Sequence, residues 1–143
     1  MLLAVDIGNT RTKAAVFDGD RLFKQFVFPL NEVWSHISDI ISKFTEITEI
    51  VTSSVSSELS LPNNNLPLHV IDKDWKFPFK NLYQTPLTLG IDRMVLAAGS
   101  VLCYPRMNRL IIDAGTCITY DFVDDGDNYH GGAISPGVAM RSR

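Results

Sequence analysis

One short pattern occurs twice in this chain and constrains its fold more than any other feature. Leu2-Leu3-Ala4-Val5 runs into Asp6-Ile7-Gly8-Asn9-Thr10, and 107 positions after Asp6, Leu110-Ile111-Ile112 runs into Asp113-Ala114-Gly115-Thr116. Each copy is an apolar run of strand length, then Asp, Gly and Thr, then a second β-favouring stretch. Such a run reads as a buried strand, and the Gly after it permits a tight turn into the next strand. A turn of this kind points backbone N–H groups and a Thr hydroxyl one way, which makes a concave anion site. The Asp at the strand end adds a carboxylate able to hold a cation beside bound phosphates. Two facing copies would grip a nucleotide from both sides.

The remaining pattern predicts a mixed α/β chain. Leu2–Asp6, Lys13–Phe17 and Arg21–Phe28 read as three strands, with Gly8-Asn9 and Asp18-Gly19-Asp20 as turns. Val33, Ile37, Ile40, Ile41 and Phe44 fall at helical spacing, with Asn31 as the expected cap. Ile47–Val55 and Leu68–Ile71 read as strands, separated by a Ser-rich stretch and the loop Pro62-Asn63-Asn64-Asn65. Residues 72–89 look irregular. A helix follows from Ile91 to Tyr104, stopped by Pro105. The second half then restarts with strands from Arg109, over Cys117–Val123 and over Tyr129–Ser135. It restarts the βββ pattern without the helices that would cover it, so the chain reads as the front part of a longer protein.

Composition narrows the partners. Hydrophobic residues make up 45%, charged residues 20%, and the formal net charge is −3. This balance belongs to a globular protein and gives no electrostatic case for nucleic acid or an anionic membrane. No apolar run approaches a membrane span, and the first residues enter a strand without a signal-peptide pattern. Cys103 and Cys117 show neither metal spacing nor a disulfide framework, so a reducing cytoplasm is the expected compartment. Both are read as core residues, as is Trp34. His36, His69 and His130 lack ligand spacing and read as structural or surface residues. Trp75 and Phe77-Pro78-Phe79 either line a pocket or anchor their loop.

Three segments carry chemistry. Asp6-Ile7-Gly8-Asn9-Thr10-Arg11-Thr12-Lys13 is no Walker A loop, since it lacks the spaced glycines and the Gly-Lys-Thr ending. Alone, it also reads as an ordinary hairpin turn capped by Asp; its recurrence at Asp113–Thr116 favours the phosphate reading. Gly90-Ile91-Asp92-Arg93 opens the second helix. Asp92 there is either a plain N-terminal helix residue or a carboxylate that accepts a proton from an attacking hydroxyl. Arg93 is either a surface charge or a partner for an anionic substrate group. A helix N-terminus favours the charged carboxylate and weakens it as a base, so positioning would have to supply much of the rate.

In this order and spacing, Asp6–Lys13, Gly90–Arg93 and Asp113–Thr116 together resemble type III pantothenate kinases, as does Gly131-Gly132-Ala133-Ile134-Ser135-Pro136-Gly137. The resemblance covers nearly the whole chain but only the front of the family's length. It implies an actin-like (ribonuclease H-like) βββαβαβα domain over residues 1–107, then the truncated start of a second, similar domain over 108–143. It implies ATP-dependent phosphorylation of pantothenate to 4'-phosphopantothenate, the first step of coenzyme A biosynthesis. By the same resemblance, Asp6, Ile7, Gly8, Asn9, Thr10, Arg11, Thr12, Lys13 and Thr116 contact ATP. Tyr83, Gly90, Ile91, Asp92 and Arg93 contact pantothenate, with Asp92 as proton acceptor. Asp113 holds a monovalent cation, potassium or ammonium, and magnesium accompanies ATP near Asp6. A cytoplasmic homodimer is implied for the full-length protein, with little or no activity for this portion alone. Two other readings compete: an actin-like kinase of another small alcohol, and a non-catalytic actin-like nucleotide-binding regulator.

Overall fold

The computed structural model describes residues 1–54 and 65–141. They form two compact units, Met1–Lys73 and Asp74–Arg143. The expected loop at 62–64 and the end of the expected strand at Val55 lie outside the described residues.

In the first unit, β1 (Leu2–Ile7), β2 (Arg11–Asp18) and β3 (Arg21–Pro29) form an antiparallel meander. A 3-10 turn, Leu30–Glu32, leads into α1 (Val33–Lys43), and β4 (Glu49–Ser54) and β5 (Leu68–Ile71) add parallel to β1. The sheet order is β3-β2-β1-β4-β5. Alternation sets its inner face: Leu3, Val5 and Ile7 of β1 and Thr12, Ala14 and Val16 of β2 are buried, as period-two geometry requires. Val33, Ile37 and Ile40 of α1 join that core. Trp34 packs against it half-buried, as expected. Asn31 is not the helix cap. It sits inside the 3-10 turn, and Glu32 occupies the cap position without a side-chain cap bond.

In the second unit, β6 (Lys80–Asn81), β7 (Arg109–Ala114), β8 (Cys117–Val123) and β9 (Asn128–Pro136) form a sheet in the order β6-β9-β8-β7. The helix α2 (Ile91–Cys103) packs on β7 and β8, and a short α3 (Val138–Arg141) follows β9. Leu89, Met94, Ala97, Val101, Val123 and Tyr129 are buried. The strand β6 lies inside the stretch read as irregular. Its two residues carry no periodic signal, and it forms only because Lys80 N–H and Leu82 N–H donate to the carbonyls of Asp127 and Tyr129. This parallel pairing, and the seat of α2 on β7 and β8, attach residues 74–107 to the second unit. The division between compact units falls at 73/74.

Both cysteines depart from the expected core placement. Cys103 is exposed where α2 ends beside Leu102 and Tyr104, and Cys117 is exposed at the start of β8. The histidines hold surface roles: His36 faces Glu32 and stacks on Phe28, His69 faces Glu49, and His130 faces Asp124. Trp75 is exposed. Among the described residues no helix is long and apolar enough to cross a membrane.

Candidate functional site

In the first unit, Asp6 ends β1 on the face opposite the core and stands across from Lys13 of β2. On its other side Ser53 of β4 donates to Asp6 Oδ1 at 3.1 Å. Gly8 N–H donates to Arg11 C=O at 3.2 Å and closes the turn. Asn9, Thr10, Arg11 and Lys13 are exposed. Ile7 and Thr12 are buried in the core, and Thr12 Oγ1 has no hydrogen-bond partner. Within 6–13 the groups offered outward are thus the Asp6 carboxylate, the turn backbone and the side chains of 9, 10, 11 and 13. One carboxylate with spare lone pairs, two cations and a polar turn form a donor set that suits a nucleotide's phosphates and the magnesium they carry.

The second copy of the turn is built differently. Asp113 of β7 is half-buried and faces Thr119 of β8. Gly115 N–H donates to Cys117 C=O at 2.9 Å, and Gly137 N–H donates to Thr116 C=O at 2.9 Å. A Cβ on Gly137 would collide with the carbonyl oxygens of Gly115 and Thr116, so only glycine lets the end of β9 close over this turn. Among the described residues no three His, Cys, Asp or Glu side chains gather into a metal cluster.

Asp92 lies in the first turn of α2 and is exposed. Its Oδ1 accepts from the N–H of Arg93 at 2.9 Å. The carboxylate folds back over Gly90, where a Cβ would occupy its place. Tyr83 is half-buried nearby, its N–H donating to Asn81 Oδ1 at 2.9 Å.

The Arg93 side chain is buried and ion-paired rather than a surface charge. It is 6% exposed and forks onto Asp121, itself 1% exposed. Nε donates to both carboxylate oxygens at 3.1 and 3.0 Å, and Nη2 donates to Oδ1. Tyr129 Oη also donates to Asp121 Oδ1, and the Tyr83 ring lies 5.7 Å from the guanidinium carbon. The Asp121 hydrogen bond, outweighing burial, raises the Arg93 pKa further above its ordinary value. Burial, reinforced by Asp121, pushes the Tyr129 hydroxyl well above the usual phenol range. Breaking a buried pair of this kind costs about 3–5 kcal/mol, because the remaining charge is stranded. Sequence reasoning singled out neither Asp121 nor Tyr129. The one available signal was an Asp at an inward position of an otherwise apolar strand, between Tyr120 and Phe122.

Comparison with known proteins agrees with the shared motifs. The family model of type III pantothenate kinase matches residues 2–143. A type III pantothenate kinase of Flavobacterium johnsoniae is 53% identical over 146 aligned residues, which cover 99% of this chain and 59% of that protein. The chain thus spans about three-fifths of the length of the curated relatives it matches. A crystal structure described as a putative Baf family transcriptional activator from Campylobacter jejuni is 27% identical with a TM-score of 0.59, covering 96% of this chain and 55% of that one. A putative 2-dehydro-3-deoxygalactonokinase from Sinorhizobium meliloti, 10% identical with a TM-score of 0.54, covers 94% and 54% and shares the fold alone. The fold is the actin-like α/β fold, and the chain belongs to the type III pantothenate kinase family.

Proposed function

We propose that the full-length protein phosphorylates pantothenate with ATP, giving 4'-phosphopantothenate on the route to coenzyme A. The observation that carries this reading is Asp92. It is an exposed carboxylate in the first turn of α2, held by the Arg93 N–H, in a chain of this family. Asp92 orients the primary hydroxyl of pantothenate and accepts its proton. The hydroxyl oxygen then bonds to the terminal phosphorus as the bond to the bridging oxygen breaks, and ADP leaves. The turns at Gly8–Thr10 and Gly115–Thr116, with Arg11 and Lys13, hold the phosphates. Asp6 would hold magnesium and Asp113 potassium or ammonium; when bound, these ions offset phosphate charge. Tyr83 and Gly90–Arg93 form the pantothenate side. We extend the reading to a cytoplasmic homodimer whose first domain spans 1–107 and whose second begins at 108, where the motif restarts.

The test is ADP release by the full-length protein in potassium, ammonium and sodium buffers. Pantothenate is compared with hexoses, glycerol and acetate. Pantothenate alone should support turnover, and Asp92→Asn should lower kcat by about 10²–10⁴-fold. Wild-type kcat in that variant removes Asp92 as the base. Residues 1–143 alone should turn over weakly or not at all, and robust turnover by them contradicts that part of the reading. A rival reading is a non-catalytic nucleotide-binding regulator; the Campylobacter jejuni neighbour is described as a putative transcriptional activator, which is a regulatory role. Tight ATP binding without pantothenate-dependent ADP release would support that rival.

A further inference from the structure

Two buried residues that the reaction scheme does not use, Asp121 and Tyr129, are joined to Asp92 by an unbroken chain of contacts within the second unit. Tyr129 Oη and the Arg93 guanidinium both donate to the Asp121 carboxylate. The backbone N–H of the same Arg93 donates to Asp92 Oδ1 at 2.9 Å. The guanidinium is also flanked by Tyr83, whose ring rests against Gly131 at φ +83°, where no Cβ intrudes. The side chain of Arg93 therefore anchors the first turn of α2 to β8 and β9, and its main chain aims the Asp92 carboxylate.

We propose that Asp121, braced by Tyr129, is a positioning residue for phosphoryl transfer, fixing Arg93 and through it the aim of Asp92. The proposal rests on the reading of Asp92 as proton acceptor. The physical grounds are local. An exposed carboxylate in a first helical turn has rotamer freedom, and a proton acceptor must be held within a fraction of an ångström and about 10–20° of its working geometry. A bidentate Arg–carboxylate pair supplies that rigidity better than a single hydrogen bond, since its two parallel bonds fix orientation as well as distance. Tyr129 fills a further lone pair of Asp121, so the buried carboxylate has one arrangement rather than several. With its guanidinium paired to Asp121, Arg93 sets geometry as well as lying on the pantothenate side.

The experiment uses the full-length protein with Asp121→Asn and Tyr129→Phe, the second keeping the ion pair if the first fails to fold. Two readouts are taken: steady-state kinetics with ATP and pantothenate, and amide hydrogen exchange at Ile91–Met94 compared with β8 and β9. The expected result for Asp121→Asn is a fall in kcat of about 10–100-fold, of the order a small misplacement causes. KM for ATP should stay within about twofold of wild type, since no phosphate contact of the scheme changes. Exchange at Ile91–Met94 should quicken while β8 and β9 keep their protection. Tyr129→Phe should show the same pattern, weaker. The proposal is overturned if exchange at Ile91–Met94 is unchanged, if it rises equally across β8 and β9, or if kcat holds while the helix start loosens. A wild-type protein without pantothenate-dependent ADP release defeats the functional reading instead, and the exchange data still decide whether Asp121 fixes the start of α2.

Discussion

The strand β1 runs between β2 and β4, and Ser53 of β4 donates to Asp6. Among the described residues the strand β7 pairs with β8, and Asp113 faces Thr119. The first turn is closed by its own Gly8–Arg11 bond, whereas the second is also gripped from outside by Gly137. The cores behind them differ as well. Leu3, Val5, Ile7, Ile37 and Ile50 fill the first, while the second encloses the Arg93–Asp121–Tyr129 set. The same sequence pattern thus yields two turns of different length in two different environments. A strand-end Asp takes its chemistry from the neighbouring strand, which the motif does not specify.

Three perturbations probe this difference. The largest effect is expected from Gly137→Ala, whose new methyl meets backbone that cannot swing aside. A loss of about 1–3 kcal/mol is expected, as for overpacking elsewhere. Gly8→Ala meets only the Arg11 carbonyl at 3.2 Å and should cost about 0.5 kcal/mol or less. Urea denaturation separates the two units, because Trp34 reports on the first and Trp75 on the second. Equal losses would mean that the two turns are supported alike.

A smaller effect is expected from Ser53→Ala, which removes the donor to Asp6 and should cost about 1 kcal/mol. Thr119→Val, across the hairpin from Asp113 where Lys13 stands across from Asp6, should change stability by about 0.5 kcal/mol or less, since no hydrogen bond joins the Asp113 and Thr119 side chains. Thermal unfolding of both variants checks the pair, and a larger loss from Thr119→Val would reverse the ranking.

The smallest effect is confined to acid. In the β8–β9 turn His130, then Asn128 and Gly126, hold the Asp124 carboxyl well below the usual carboxylate range. As pH falls the unfolded chain takes up this proton first. The stabilisation is therefore complete above about pH 4 and is lost as pH drops through the depressed value. Asp124→Asn should flatten that part of the stability–pH curve. The Asp18–Asp20 turn of the first unit carries no comparable set of side-chain hydrogen bonds among the described residues.

Much of the architecture was legible beforehand because its signals are local. Alternating burial in β1 and β2, the spacing of Val33, Ile37 and Ile40, and Pro105 after α2 each depend on residues within a few positions. Asp92 was also legible, as a carboxylate at a helix start after a glycine. The buried partner of Arg93 was not, because Asp121 is 28 residues away in sequence and meets it only when α2 packs on β8. The cysteines failed for the related reason that an apolar neighbourhood in sequence does not say which side of a helix end or turn faces water. Asn31 failed because the chain enters α1 through a 3-10 turn, which moves the cap position to Glu32.

What the sequence by itself determined was the longer strands, the two long helices, the duplicated Asp–Gly–Thr turn and the membership of the chain in its family. These follow from short-range periodicity and from motifs whose order survives in one dimension. Only the tertiary structure decided that Asp6 has a hydroxyl neighbour, that residues 74–107 pack with the second unit, and that Arg93 pairs with Asp121. Those outcomes depend on which strand lies beside which and on which charge is cheapest to bury against another, and both are settled by contacts between residues far apart along the chain.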